Sequence, residues 1–437
     1  MNHLKSRRKL ALIILILLVP VGGYAWFRVK SGKPQVSVSA KAKPESALYH
    51  DAVAMLEGNL ESGTAKLEYE PKHGYLRSLL RNLNIPESSQ SLVFSKSSFQ
   101  YDHISPETPR ALYFNDDVYV GYVPTGRLFE IAAIDPVGGP IFYTLDRDKS
   151  EHPKMENQSQ TRNCIVCHDS STGDDPIPRL LMLSILPDAK GNSMHRLSLL
   201  TNDKSPLNER WGGWYVTGTH GAQRHLGNMV IRAEIPDINS MKEFIPKLNL
   251  NPGANVTDLS KIVDTRPYPH PDSDIVALMI LGHQTHIHNL ITLADFEVRD
   301  AIAHHPENTE KLIKEDGELL VDSMLFSGAA QFTDPIAGTS GFAEEFSKQG
   351  KRDSRGRSLK DLDLKTRLMK YPMSYLIYSQ SFDQMTTPVK EYAYRRFREI
   401  LTGQDKSSHF AHLTQADREN ILGILQETKP DFAATLK

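Results

Sequence analysis

Apolar and polar positions alternate in different ways along the chain, and the first half holds two of these patterns. Between residues 47 and 83 the apolar residues have helical spacing, which predicts two short helices, over residues 47–60 and 75–83. Four later stretches are rich in β-branched and aromatic residues and are bounded by turn formers: residues 91–99, 110–122, 128–134 and 140–145. They predict a meander of short antiparallel strands.

The second half of the chain turns helical after one more strand pair. Residues 179–186 and 194–200 predict that pair, joined across residues 188–191. From Ser273 to about Ala303 apolar residues recur at intervals of three and four, which predicts a long helix. Four further stretches predict the last helices: residues 361–369, 375–382, 389–401 and 415–427. The predicted fold class is therefore α+β.

The first thirty residues have a pattern of their own. Cations at position 5 and at positions 7–9 precede an apolar run, and residues 10–27 are just long enough to span a bilayer. These cations, and the aromatic residues at positions 24, 26 and 27, favour a single-pass transmembrane anchor in the inner membrane over a cleaved signal peptide. Under either interpretation the rest of the chain lies in the periplasm, and residues 31–46 form a polar, proline-marked linker.

Composition narrows the function classes only a little. The net charge of −2 leaves no basic excess to neutralise phosphates, so a nucleic-acid partner is not expected. The 437 residues exceed the roughly 250–300 at which a single hydrophobic core stops growing, so more than one core is expected. The two cysteines are the informative part of the composition, because they stand close together.

Both cysteines belong to one motif, Cys164-Ile165-Val166-Cys167-His168, read as CIVCH. A C-x-x-C-H run is the attachment signature of c-type haem, in which the two thiols form thioethers and the histidine binds the iron. The alternatives are a thioredoxin-like dithiol pair and half of a zinc site. The first lacks a recognisable strand-to-helix context, and the second would need two more ligands from distant histidines.

At CIVCH the chain resembles the c-type cytochromes. The resemblance implies one covalent haem c, with Cys164 and Cys167 as the thioether cysteines and His168 as the proximal iron ligand. Three further segments are similar to a large group of exported bacterial cytochrome c domain proteins: RALYFNDD, RWGGWYVTGTHG and DLKTRLMKYPMSYLIYS. That group has no established activity, so this second resemblance implies haem and an exported location but no reaction.

The iron's other face needs a ligand from elsewhere in the chain. His220 and His225 are the first candidates, because they lie in a glycine-rich loop with two tryptophans, where the backbone can approach a flat cofactor. His283, on the predicted long helix, is the next candidate, and Met373, beside a proline, is the last. For His283 the competing interpretation is a buried imidazole held by hydrogen bonds, and for the loop with His220 and His225 it is the core of a β-hairpin with a glycine turn.

These patterns divide the chain into five predicted segments. They are a membrane anchor or signal segment (1–30), a linker (31–46), a β-rich region with short N-terminal helices (47–147), a haem-attachment region with the glycine- and tryptophan-rich loop (148–272) and a helical region (273–437). The predicted architecture is thus α+β with an N-terminal transmembrane anchor, a β-rich region, a c-type haem region and a helical C-terminal third.

The predicted function is that of a membrane-anchored, periplasmic monohaem cytochrome c that passes single electrons to an unidentified redox partner. The alternative is a haem-dependent oxidoreductase or peroxidase-like enzyme with an open distal site, and a third interpretation is a haem-based sensor or binding module. The iron's sixth ligand discriminates the first two, because a firmly held ligand favours electron transfer and an open site favours chemistry. No catalytic residue is assigned.

Overall fold

The computed structural model describes residues 50–159, 162–171, 177–232 and 240–436, all of which belong to one compact unit. Within these ranges the strands are β1 (Ser91–Val93), β2 (Arg110–Phe114), β3 (Val118–Tyr122), β4 (Leu128–Asp135), β5 (Gly139–Asp146), β6 (Met155–Asn157), β7 (Leu183–Pro187) and β8 (Ser193–Leu200). The α-helices are α1 (Ala52–Glu61), α2 (Leu76–Asn82), α3 (Arg162–His168), α4 (Met241–Phe244), α5 (Ile275–His304), α6 (Thr309–Met324), α7 (Phe342–Lys348), α8 (Gln380–Asp383), α9 (Thr387–Leu401), α10 (Gln415–Thr428) and α11 (Pro430–Ala434).

The main sheet is an antiparallel meander in which β1 to β6 pair in chain order, as predicted. The chain reverses between β2 and β3 at Asn115, whose side chain accepts hydrogen bonds from the backbone N–H groups of Asp117 and Val118. The predicted second pair is also present, with β7 antiparallel to β8. The predicted meander and strand pair are therefore observed, but residues 110–122 form two strands instead of one, residues 94–99 are not in a strand, and β6 was not predicted.

Both faces of the main sheet are buried. One face packs on α1 and α2 through side chains such as Tyr113 and Val120, and the other packs on α5 through Tyr119 and Phe142. All five residues of β3 are buried, which explains why the strands are almost continuously apolar instead of alternating. The sheet thus separates two hydrophobic cores, in agreement with the chain's length.

Helix α5 is the central helix of the larger core. Asp274 caps its N-terminus by accepting hydrogen bonds from the backbone N–H groups of Val276 and Ala277. Most of its 30 residues are buried, because the sheet packs on one side and the C-terminal helices on another. This core extends from Val93 to Phe432 and draws on three of the five predicted segments, whose boundaries stay predictions.

The glycine- and tryptophan-rich stretch packs between β7 and the residues that follow β1. A Cβ atom on Gly212 would lie 2.0 Å from the carbonyl oxygen of Ile185, so only glycine allows this approach to β7. The carbonyl of Gly213 accepts hydrogen bonds from the backbone N–H groups of Phe94 and Ser95, just after β1. The indole of Trp214 donates to the carbonyl of Leu183.

The predicted architecture needs a correction in its first element. It combined an α+β fold, which is observed, with a transmembrane anchor, which is not. None of the helices in the described part of the chain has both the length and the apolar character that crossing a membrane requires. The anchor was placed on residues 10–27, which lie outside the described residues, as does the linker at 31–46.

Two predicted helices near the C-terminus also differ from the structure. Residues 361–369 are not helical, because the Asp363 side chain accepts the backbone N–H groups of Lys365 and Thr366 and folds the segment into a turn. Residues 375–382 are split by Ser379, whose hydroxyl caps α8. The helix α6 was not predicted, although its apolar positions Leu320, Val321 and Met324 have helical spacing.

Candidate functional site

The CIVCH motif lies on α3, a short helix between β6 and β7 that ends at His168. Cys167 lies three positions after Cys164, and His168 lies four positions after Cys164. The three side chains therefore lie on one face of the helix. Cys164 is half-buried and packs against the larger core, whereas Cys167 is exposed. The helix therefore explains the motif's spacing, since it presents both thiols and the imidazole on the same side.

The imidazole of His168 is fixed by the loop that follows it. Its Nδ1 lies 2.8 Å from the carbonyl oxygen of Arg179, and the backbone N–H of Arg179 donates back to the His168 carbonyl. The ring also packs on Phe142 of β5, with 4.6 Å between the ring centroids. A carbonyl can only accept, so Nδ1 carries the proton and Nε2 keeps the lone pair. Burial lowers the pKa of His168, which favours this neutral form.

The environment of Cys164 does not favour a redox-active dithiol pair. Burial, assisted by the negative charge of Glu130, raises the pKa of Cys164 to about 11. The attacking cysteine of a thioredoxin-like pair needs a lowered pKa, so the structure disfavours that alternative. No group of three or more His, Cys, Asp or Glu side chains among the described residues is placed to hold a metal ion. A haem iron takes only one or two ligands from the protein, so the haem prediction does not depend on such a group.

Two arginines near His168 carry buried N–H groups with no hydrogen-bond partner among the described residues. They are the Nε atoms of Arg110 and Arg179. Arg110 forms an ion pair of 2.6 Å with Glu130 through its Nη1, which leaves Nε available. Guanidinium groups bind carboxylates well, and haem carries two propionate carboxylates. The residues around His168 therefore fit the group that the motif implies.

His220 and His225 pack against each other, with 4.7 Å between their ring centroids. Both ring nitrogens of His220 are engaged, Nδ1 at 2.9 Å from the carbonyl oxygen of Gln223 and Nε2 accepting the backbone N–H of Asn255 at 2.9 Å. His225 lies beside Trp211, and its buried Nδ1 has no partner among the described residues. Burial lowers the pKa of His225 to about 3.

His283 also has both ring nitrogens engaged. Its Nδ1 lies 3.0 Å from Oδ2 of Asp203, its Nε2 lies 2.9 Å from Oγ of Ser374, and its ring stacks on Phe326 at 4.3 Å. Met373 is fully buried in the larger core. To bind iron, His220 or His283 would have to give up a buried hydrogen bond, which costs about 1–3 kcal/mol.

The structure does not bring these candidates to the CIVCH helix. Among the described ring contacts and hydrogen bonds of His168, which involve Phe142 and Arg179, none is made with His220, His225 or His283. The role of these three histidines as second iron ligands stays a prediction. Both ring nitrogens of His220 and of His283 are engaged in hydrogen bonds, whereas His225 keeps one buried nitrogen without a described partner.

Similarity to known proteins does not assist in assigning this site. No protein-family model matches the chain, and neither does a curated protein or a solved structure. The function therefore follows from the chemistry of CIVCH and of the residues that surround it.

One histidine of the predicted long helix that was not ranked as a second iron ligand has a more suitable environment. The buried Nε2 of His286 has no hydrogen-bond partner among the described residues, and burial lowers the pKa of His286 to about 4. On the same face of α5, Asn289 holds the backbone of Leu180 through hydrogen bonds of 2.7 and 2.8 Å. Leu180 directly follows Arg179, the partner of His168. His283 and His286 are three residues apart and share a face of α5, so the contacts of the two histidines distinguish them and their spacing does not.

Proposed function

We propose that Cys164 and Cys167 would hold one haem c through thioether bonds, that His168 would bind its iron, and that the protein transfers single electrons. The observation that carries the proposal is the arrangement of His168, because its Nδ1 is bound to a carbonyl and its Nε2 keeps the lone pair. A haem at this site would supply a one-electron ferric/ferrous couple. Attachment of this kind resembles a periplasmic process, so we also propose a periplasmic location.

The surrounding residues have separate roles in this proposal. The carbonyl of Arg179 sets the tautomer of His168, and the Phe142 ring limits how far the imidazole can rotate. The unpartnered Nε atoms of Arg110 and Arg179 would bind propionate carboxylates. His286 is the described histidine best suited to be a second protein ligand of the iron, because its Nε2 has no described partner and Asn289, on the same helix face, contacts the segment after His168.

The covalent bond is the feature to test first. We expect the chain to keep its haem through SDS denaturation, so that peroxidase staining marks a band near 49.1 kDa. The double variant Cys164→Ser/Cys167→Ser removes both thiols and should give no stained band. The variant His304→Ala changes an exposed histidine and is the matched control, which should stain like the wild type.

Extraction with acidified butanone distinguishes covalent from non-covalent haem. A haem that leaves the wild-type chain under these conditions would contradict the proposed attachment. Equal staining of the double variant and the wild type would contradict the role of the two cysteines.

A further inference from the structure

The peptide group between Arg179 and Leu180 is hydrogen-bonded at both ends. Its carbonyl oxygen, on the Arg179 side, lies 2.8 Å from Nδ1 of His168. Its N–H, on the Leu180 side, donates to Oδ1 of Asn289 at 2.7 Å. A trans peptide group is planar and directs its C=O and its N–H to opposite sides. One rigid unit therefore connects the side chain of Asn289 with the imidazole of His168.

Asn289 holds this peptide group through a second contact. Its Nδ2 donates to the carbonyl of Leu180 at 2.8 Å, so both ends of the Asn289 amide bind the backbone of one residue. Two such hydrogen bonds oppose rotation of the Leu180 backbone. Asn289 is itself fixed on α5, and the next residue, Leu290, is buried in the larger core. The position of this helix therefore determines where the carbonyl that orients His168 lies.

The same contacts affect the strength of the hydrogen bond to His168. Hydrogen bonds in series polarise one another, so the bond from the Leu180 N–H to Asn289 makes the Arg179 carbonyl a better acceptor. A stronger acceptor at Nδ1 keeps the proton there and raises the basicity of Nε2. Without that acceptor the neutral imidazole can carry its proton on Nε2, which would block the nitrogen proposed to bind iron.

We propose that Asn289 is a positioning residue for His168. It holds the Arg179–Leu180 peptide so that the carbonyl keeps the proton of His168 on Nδ1 and leaves Nε2 free for iron. The effect on the iron rests on the proposed function, whereas the site of the His168 proton is a property of the chain itself. The two effects are therefore measured separately.

Gln284 provides a matched control. It is another side-chain amide of α5, and its Nε2 donates to the carbonyl of Asn115 and to the hydroxyl of Tyr119, at 2.7 Å each. Gln284→Leu and Asn289→Leu each replace an amide with an apolar side chain of comparable size and remove its hydrogen bonds. Both variants should lower the free energy of unfolding, but only Asn289→Leu releases the peptide that orients His168.

The first two measurements use the full-length chain with its haem. We expect the amide hydrogen of Leu180 to exchange with solvent about five- to tenfold faster in Asn289→Leu, because its hydrogen bond is lost. We also expect the ferric-to-ferrous ratio at a fixed solution potential to fall about fivefold, since a less basic Nε2 stabilises ferric iron less. Gln284→Leu should match the wild type in both measurements.

The third measurement uses the full-length chain isolated without haem and labelled with ¹⁵N in its histidines. In the neutral imidazole of wild-type His168, the ¹⁵N shifts should show a protonated Nδ1 and a bare Nε2. Asn289→Leu should move both signals toward those of a mixture of tautomers, and Gln284→Leu should not. Asn289→Asp keeps the Oδ1 acceptor and loses only the donor, so it should retain most of the Nδ1–H form.

Two results on the wild type alone would overturn the proposal, however well the variants fold. They are a proton on Nε2 of His168 in the haem-free chain and an unprotected Leu180 amide in the chain with haem. Equal changes at His168 in Asn289→Leu and Gln284→Leu would reduce Asn289 to a structural role. A chain that binds no covalent haem but shows the expected change of tautomer would overturn the proposed electron transfer and support the role of Asn289.

Discussion

His168 and His283 are both helical histidines beside the same core, and their ring nitrogens have opposite environments. His283 uses both nitrogens in short hydrogen bonds to side chains and stacks on a phenylalanine. His168 has one nitrogen on a backbone carbonyl, and its Nε2 has no described partner. Fully bonded imidazoles hold a fold together, whereas an oriented imidazole with one open nitrogen is prepared to bind a metal. The comparison therefore distinguishes, by hydrogen bonding, a histidine that is fully engaged in the fold from one whose free nitrogen could bind a metal.

The largest effect on the free energy of unfolding is expected for His283→Ala. The substitution leaves the buried Asp203 carboxylate without its partner, and breaking a buried pair in this way costs about 3–5 kcal/mol. Denaturant unfolding of the haem-free chain measures it. His304→Ala is the matched control on the same helix, because its side chain is 68% exposed and the change should stay within about 0.5 kcal/mol.

A loss of less than about 1 kcal/mol in the free energy of unfolding of His283→Ala would contradict the structural role given to His283 in its comparison with His168. The network would then contribute little to stability, and His283 would be available as an iron ligand.

The free energy of unfolding is expected to depend on pH through His288. This histidine of α5 has different hydrogen bonds from those of His283 and His286. Its Nε2 lies 2.8 Å from the carbonyl oxygen of Asp116, its Nδ1 has no partner among the described residues, and burial lowers its pKa to about 4. In the unfolded chain the pKa of histidine is about 6.5, so between pH 6.5 and 4 the unfolded state binds the extra proton. Folding stability from His288 is thus complete above pH 6.5 and falls by about 3 kcal/mol as the pH approaches 4.

The variant His288→Gln isolates this contribution. Asp117 acts in the opposite direction, because burial raises its pKa to about 6 and the folded state takes up its proton first. The difference in unfolding free energy between wild type and His288→Gln removes that common contribution. We expect the difference to shrink as the pH is lowered from 7 to 4, and stability curves that stay parallel would contradict a neutral, buried His288.

The smallest change in stability, with the clearest change in the iron spectrum, is expected for His286→Ala. Its Nε2 makes no described hydrogen bond, so the free energy of unfolding of the haem-free chain should fall by about 1 kcal/mol or less. In the haem-bound chain the same substitution should convert a low-spin ferric spectrum into a high-spin one.

His220→Ala, His225→Ala, His283→Ala and Met373→Leu are the comparison set for that spectrum. If one of them, and not His286→Ala, gives the high-spin spectrum, the second ligand is the residue replaced there. A wild-type protein that is already high-spin would favour the haem-dependent enzyme over the electron carrier.

The elements that were predicted correctly have signals within a short stretch of sequence. The meander has β-branched and aromatic stretches separated by turn formers such as Asn115, and CIVCH needs only five adjacent residues. The turn at Asp363 was missed because a side chain bound the backbone N–H groups that a helix would have used.

The environments of the histidines could not be predicted in the same way. Asp203 and Ser374 lie 80 and 91 residues from His283, and no local pattern shows that the three side chains meet. The distinction between His283 and His286 depends on Asn289 and Leu180, which come together only in the folded chain. Sequence could therefore indicate which histidines were candidates, but not which ring nitrogens were already bonded.

The order of the strands in the main sheet also determines when its parts form. Neighbours in the sheet are neighbours in sequence, and the turn between β4 and β5 brings together residues as near as Asp135 and Gly139. Closing such short loops costs little chain entropy, whereas the contacts of His283 require much longer closures. The meander should therefore assemble early and the His283 contacts late. Substitutions at His283 should then act chiefly by accelerating unfolding, so the lifetime of the folded chain depends on its last-formed contacts.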